Sequence, residues 1–280
     1  MYTYIKRKLN DAFFHSRMFF GIKLFSIRKT SGYYSNIRRI LEGLKEDGYY
    51  KLENFYSHNQ IDELNKCSYR ILDSLNNISI DDGNLERIPG EIKIKRIGNI
   101  SKTIRTYSNE WLYVLLSVFF YGVPKSPMTI FHLVLHDGSF EHKGVPGRSK
   151  RRISAPIHVD NLNKHVFKII IFLDDVTPET GGETIFFPNS GKRIRYSRRA
   201  RELLAIADEL EHAENLENVE DLKKTDRQIE NELKELKITT DSNAKHLYGN
   251  KGDVIFIDSS NLHKAGVLKK GKRGVLWLYV

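Results

Sequence analysis

The chain reads as a mainly β protein with flanking α-helices, and three features of the sequence carry that reading. Residues 167–173 (FKIIIFL) form a short run of β-branched and aromatic residues that ends at the turn formers Asp174, Asp175 and Pro178. A second such run, residues 254–257, is entered through Gly252-Asp253, and residues 274–280 read as a last strand. Residues 197–238 behave differently. They hold no Gly or Pro, carry 12 acidic and 8 basic residues, and repeat Leu203, Ile206, Leu210, Ala213, Leu216, Val219 and Leu222 at three- and four-residue steps. A chain of 280 residues with 40% hydrophobic content suits one large β-rich domain with additions.

In chain order, residues 1–29 carry Lys6, Arg7, Lys8, Arg17, Lys23, Arg28 and Lys29 against the lone Asp11, a local charge of +6. Interleaved are Phe13, Phe14, Met18, Phe19, Phe20, Ile22, Leu24, Phe25 and Ile27. Such a segment either packs as a helix on the body of the protein with its charges in water, or lies at an anionic membrane surface with its rings in the headgroup layer. Residues 47–57 (DGYYKLENFYS) and the following Ile61-Asp62-Glu63-Leu64 suggest a strand and then a helix. Between residues 141 and 152, Lys143, Arg148, Lys150, Arg151 and Arg152 gather in a Gly- and Pro-bearing loop. That rim would favour a phosphate-bearing substrate, and it equally suits a solvated loop. Residues 197–238 read as a helical hairpin with its turn near Lys224-Thr225-Asp226, capping a site or serving a structural or oligomer-forming role, with no catalytic residue in it.

The sequence contains a single H-x-D triplet, His158-Val159-Asp160, and His263 follows about a hundred residues later at an apparent strand end. Two imidazoles and one carboxylate are the donor set of a facial metal triad, which leaves three adjacent positions open on a non-haem Fe(II). The bare triplet is weak, since chance yields it roughly 0.6 times in a chain of this composition. Placement of the candidates at strand ends strengthens it against the bland reading of a surface His and Asp with an unrelated His. Arg273, ten residues after His263, stands among Lys269, Lys270 and Lys272, and spacing alone allows a solvated charge in a basic tail. His132, His136, His142 and His165 lack ligand spacing and read as surface or core residues.

At these positions the sequence resembles the phytanoyl-CoA dioxygenase family of Fe(II)/2-oxoglutarate-dependent oxygenases. Asp47-Gly48-Tyr49 through Ser57 and Ile61-Asp62-Glu63-Leu64 look like the family's opening strand and first helix. His158-x-Asp160 looks like its proximal metal pair, and Gly252-Asp253-Val254 through His263 and Arg273 like its closing segment. Leu173-Asp174-Asp175-Val176-Thr177 and Pro188-Asn189-Ser190-Gly191-Lys192 look like its "LxDVT…G…PGSHK" stretch, with Asn189 and Gly191 in place of the usual Gly and His. Gly181-Gly182-Glu183-Thr184 is closer to prolyl-4-hydroxylase-type members, in which the residue ten after the distal His is typically Lys, whereas here it is Arg273.

The resemblance implies a double-stranded β-helix, a jelly-roll-like, cupin-type barrel, over residues 45–280 with the helical insertion 197–238, preceded by a basic, aromatic helical extension over residues 1–44. It implies His158, Asp160 and His263 as ligands of Fe(II), with 2-oxoglutarate and O2 as co-substrates. Arg273 would pair with the distal carboxylate of 2-oxoglutarate, a bidentate contact that Lys does not match, and Thr184 could add a hydroxyl. The expected reaction is hydroxylation of a small-molecule, lipid-like or sugar-linked substrate with release of succinate and CO2. A prolyl-4-hydroxylase-like protein or peptide hydroxylase and a non-catalytic barrel binding module remain open.

Composition narrows the rest. One cysteine, Cys67, excludes a disulfide framework and a Cys-based zinc site and fits a reducing compartment. No apolar run reaches the length of a membrane span, and no secretory h-region follows the N-terminus, so the expectation is a cytoplasmic protein with a peripheral contact to the inner face of a membrane through residues 1–29. Net charge is +10, yet the stepped arginines of nucleic-acid demethylases are missing after His263, and nucleic acid is not an expected partner.

Overall fold

The structure, a computed structural model, describes residues 2–27, 33–75, 82–88, 91–108, 110–135, 157–212, 219–240 and 242–280. The strands are β1 (Tyr49–Leu52), β2 (Leu85–Ile88), β3 (Glu91–Lys95), β4 (Met128–Leu135), β5 (Phe167–Phe172), β6 (Thr184–Phe186), β7 (Lys245–Leu247), β8 (Val254–Asp258), β9 (His263–Ala265) and β10 (Lys272–Tyr279). The helices are α1 (Tyr2–Ile27), α2 (Tyr33–Glu46), α3 (His58–Asp73), α4 (Ile97–Ile100), α5 (Lys102–Ser108), α6 (Trp111–Tyr121), α7 (Ser190–Tyr196), α8 (Arg198–His212) and α9 (Val219–Glu235). A seven-stranded sheet runs β1-β8-β5-β10-β4-β3-β2 and a three-stranded sheet β7-β6-β9, with antiparallel pairing throughout. The two sheets, with a core between them and helices outside, form the double-stranded β-helix.

The period-2 alternation of a strand explains how one apolar run serves two cores. In β5, Phe167, Ile169 and Ile171 face the helices and join Ile37, Leu41, Ile61, Leu64, Tyr113 and Phe120. Ile170 and Phe172 face the other way and meet Phe186, Leu247, Ile255, Ile257 and Val275 between the sheets. Each such side chain contributes on the order of 1.5–3 kcal/mol on burial. The alternation breaks at Lys168, which takes an inter-sheet position and is nevertheless buried. Helix α3 begins with a capping box: the Gln60 amide donates to Ser57 Oγ, and the Ser57 amide donates to Gln60 Oε1 at 2.9 Å.

The insertion is helical as expected, but its turn is not at Lys224-Thr225-Asp226. Those residues lie inside α9, with no Gly or Pro to break the helix, and the apolar stripe continues through Ile229 and Leu233. Buried in a third cluster, Leu203, Leu204, Ala207, Ile229 and Leu233 pack with Ile157 and Leu262, the immediate neighbours of His158 and His263. The hairpin therefore buttresses the segments that carry both histidines.

Helix α1 is docked on the barrel. Phe14 and Met18 are buried in the helix-side core, and Phe14 stacks on His165 at 3.8 Å between ring centroids. Asp11 accepts from Tyr196 Oη at 2.8 Å and lies 3.1 Å from both Arg195 Nη2 and His165 Nε2. The opposite face of α1 still presents Leu9, Phe13, Phe20 and Leu24 to solvent. The cationic loop at 141–152, with His142, and His136 lie outside the described residues. None of the helices among the described residues is long and apolar enough to cross a membrane.

Candidate metal centre

His158, Asp160 and His263 converge. One donor atom from each lies within 4.8 Å of the others, and Asp160 Oδ1 is 3.7 Å from both His158 Nε2 and His263 Nε2. Backbone pairing produces the convergence. The His158 and His263 amides donate to each other's carbonyls at 2.9 Å, and the Asp160 amide donates to the Ser259 carbonyl at 2.9 Å. The loop bearing the H-x-D triplet is thus zipped onto the β8–β9 connection, which brings residues about a hundred apart in sequence together.

Protonation suits metal binding. His263 Nδ1 lies 3.0 Å from the Asn261 carbonyl, so the tautomer protonated there leaves Nε2 as the donor atom facing the site. Burial, reinforced by nearby His158, holds His263 well below the usual histidine range and therefore neutral. For Asp160, burial alone would push the carboxyl up, but the Lys168 ammonium foremost outweighs it and keeps the carboxyl ionised. His263 Nε2 is buried without a hydrogen-bond partner, while Asp160 Oδ2 has the Lys168 ammonium at 3.6 Å and Oδ1 faces both histidines. An unpartnered imidazole nitrogen beside a second imidazole and a carboxylate oxygen fits a divalent transition metal, the Fe(II) triad in particular. His158 is partly exposed, so the site opens to solvent on its side.

Arg273 is not a solvated tail charge: it is 4% exposed. Its Nη1 donates to the Gly182 carbonyl at 2.6 Å, its Nη2 to His132 Nδ1 at 2.9 Å, and its Nε is buried without a partner. His132 Nε2 in turn lies 2.8 Å from Glu91 Oε1. Burial pushes His132 down to about 4, which leaves Nδ1 able to accept from the guanidinium. From Arg273 the contacts continue to the metal residues. The His132 ring lies 4.1 Å from Trp277, the Trp277 ring lies 4.4 Å from Lys168 Nζ, and Lys168 Nζ lies 3.6 Å from Asp160 Oδ2. A continuous run of side-chain contacts therefore links Arg273 to the triad.

Thr184 sits half-buried on β6 opposite Leu247 and Ala265. The contact shown between this motif and Arg273 is the Gly182 carbonyl. Asp174 also has a defined place, since Oδ2 accepts from the Gly274 amide and from Tyr69 Oη, each at 2.7 Å, fastening the strand end beside Arg273. A Cβ at Gly274 would meet Tyr69 Oη at 2.7 Å, so the glycine permits that approach. The departures in the Pro188–Lys192 stretch also fit locally. Asn189 adopts φ 59°, which Asn tolerates, and a Cβ at Gly191 would sit 2.6 Å from the Ser260 carbonyl. Sequence reasoning missed Lys168 and the His132–Glu91 pair. The signal was a polar residue inside an apolar strand run, which places it on an inward face.

No protein-family model matches the chain, and no curated protein matches it. Solved structures do. The epimerase SnoN, solved with Fe3+, α-ketoglutarate and nogalamycin RO, shares 12% identity at a TM-score of 0.54, covering 88% of this chain and 83% of SnoN. EctD from S. alaskensis with bound Fe shares 15% identity at 0.56, covering 85% and 74%. HygX from Streptomyces hygroscopicus with nickel and 2-oxoglutarate shares 12% at 0.55, covering 86% and 85%. At such identities the likeness establishes the fold.

Proposed function

We propose that the protein is an Fe(II)- and 2-oxoglutarate-dependent dioxygenase of the phytanoyl-CoA dioxygenase-like type. It hydroxylates a small-molecule, lipid-like or sugar-linked substrate and releases succinate and CO2. The observation that carries this reading is the convergence of His158, Asp160 and His263, linked by side-chain contacts through Lys168, Trp277 and His132 to the buried Arg273. Iron bound there would bring 2-oxoglutarate and O2 together and supply the oxidising chemistry. The chain's own residues do the rest. The imidazoles of His158 and His263 and the carboxylate of Asp160 would hold the ion and leave room beside it for the co-substrates. Arg273, anchored through Nη1 and Nη2, keeps a fixed cationic plane for the distal carboxylate of 2-oxoglutarate. Trp277 and the inter-sheet apolar cluster would limit water beside the site.

Structures of the same fold support a small-molecule substrate, since SnoN was solved with nogalamycin RO and HygX with hygromycin B. They also include the α-ketoglutarate-dependent carbocyclase SnoK, so the outcome of oxidation is part of the proposal. The test follows succinate release from 2-oxoglutarate over panels of small molecules, lipid-linked saccharides, peptides and oligonucleotides, with the product mass recorded. Turnover on a small molecule with gain of one oxygen atom supports the reading. Turnover on peptides alone indicates the prolyl-hydroxylase-like alternative, and Fe(II)-independent binding without turnover indicates a binding module.

A peripheral membrane contact belongs to the same reading. It rests on the solvent-facing row of Leu9, Phe13, Phe20 and Leu24 on α1, with Phe13 59% and Phe20 65% exposed, and on the exposed Lys6, Lys8 and Lys23. An anionic bilayer matches both the apolar row and the charge. Full-length protein should co-sediment with anionic vesicles at low salt, and Phe13→Ser with Phe20→Ser should abolish this without loss of fold. Equal sedimentation of the double variant would refute the contact.

A further inference from the structure

Lys168 is a buried ammonium on an inter-sheet position of β5, 4% exposed, among Ile170, Ile257 and the Trp277 and Tyr279 rings. Burying a cation is expensive unless it is paired. Its carboxylate partner is Asp160, and it approaches one oxygen in particular. Nζ lies 3.6 Å from Oδ2, whereas Oδ1 is the atom that lies 3.7 Å from both histidine Nε2 atoms. The two oxygens of one carboxylate are therefore divided between a fixed cation and the metal position. The rings over which Nζ is held, at 4.4 and 4.8 Å, limit where the ammonium can go.

We propose that Lys168 is a positioning residue that keeps Asp160 monodentate. Its ammonium retains Oδ2, so Oδ1 alone reaches the metal and a coordination position stays open for an anionic chelating co-substrate. This rests on the metal-centre reading above and adds a signed consequence. A cation beside a divalent ion opposes metal binding and favours an anion bound to that metal. Removing the charge should move the two affinities in opposite directions, which a merely structural side chain would not do. Loss of packing would weaken both.

The experiment uses the full-length protein loaded anaerobically with Co(II), whose visible absorption reports coordination number. Kd is measured for Co(II) and then for 2-oxoglutarate on the loaded protein, in wild type, Lys168→Met and Lys168→Arg. The expected result for K168M is Co(II) binding at least as tight as wild type, a Co(II) spectrum altered towards a filled carboxylate position, and 2-oxoglutarate binding weaker by about tenfold or more. K168R should recover most of the 2-oxoglutarate affinity. Unchanged 2-oxoglutarate affinity in K168M, or Co(II) and 2-oxoglutarate affinities falling together, would overturn the assignment. Should K168M not fold, the shorter neutral Lys168→Gln takes its place under the same criteria. Absence of Co(II) binding by wild type would instead count against the metal centre itself, which keeps the two failures apart.

Discussion

Replacing Arg273 separates its structural role from its proposed role in binding. The guanidinium satisfies two buried acceptors, the Gly182 carbonyl and His132 Nδ1. Arg273→Ala leaves both without a donor, at about 1–3 kcal/mol each, so the apo protein should lose about 2–6 kcal/mol of unfolding free energy. Arg273→Lys keeps the charge but replaces a planar fork with a single ammonium, which does not hold Gly182 and His132 while offering a second pair of donors to a carboxylate. Losing one charge-assisted hydrogen bond to 2-oxoglutarate costs about 1.5–3 kcal/mol, so binding should weaken by roughly 10- to 100-fold in R273K. Urea melts of the apo proteins measure the first quantity. Calorimetric titration of 2-oxoglutarate into Ni(II)-loaded protein measures the second, with Ni(II) affinity as the control for an intact site. Wild-type 2-oxoglutarate affinity in R273K and R273A, with the metal bound, would refute the assignment of Arg273 as co-substrate anchor.

Further outcomes follow from other contacts. His158→Ala and His263→Ala should each abolish Fe(II) binding while leaving the far-ultraviolet dichroism intact; His158→Ala should be the milder for stability, because its side chain is partly exposed where His263 is buried. Phe14→Ala should cost about 3–5 kcal/mol in urea melts, since Phe14 is buried in the main core although it belongs to the N-terminal helix. pH acts through His132: folded it is pushed down to about 4, against ~6.5 unfolded, so the unfolded chain binds the extra proton between those values. Its contribution to stability is therefore complete above ~6.5 and falls as pH drops towards about 4. His165 works in the opposite sense. Burial pulls it down, but Asp258 and Asp11 outweigh burial and raise it, so its contribution is present below ~6.5 and is lost as pH rises through the raised value. Urea midpoints recorded from pH 7 to pH 4 should show a His132-dependent slope that His132→Asn flattens, and an identical slope in that variant would contradict the burial argument.

The strands that hold the centre were legible because their residues are locally distinctive. β5 and β8 are β-branched and aromatic runs bounded by Gly, Asp or Pro, β10 is an apolar run that follows Gly274, and His158, Asp160 and His263 lie near their ends. The short sheet was not, since β6, β7 and β9 have three residues each and owe their pairing to partners far away in sequence. Long-range polar contacts were equally silent. Asp11 meeting His165 and Arg195, and Arg273 meeting His132, leave no local pattern. The hairpin turn was misplaced because Lys224-Thr225-Asp226 offers a weak polar signal, while the burial of Ile229 and Leu233 decides the helix. Lys168 was visible as an oddity in FKIIIF, but its meaning depends on which face of β5 turns inward, and that is set by pairing with β8 and β10.

The central claim is a metal centre that takes 2-oxoglutarate. Its most direct test is anaerobic titration of the full-length protein with Fe(II) and then 2-oxoglutarate, read by the visible charge-transfer band that a chelated keto-acid gives on ferrous iron. The structure predicts one Fe(II) per chain, a band that appears only when both are present, and its loss in His158→Ala, Asp160→Ala and His263→Ala. A wild-type protein that binds no Fe(II), or that forms the band equally well without those three side chains, would contradict the account.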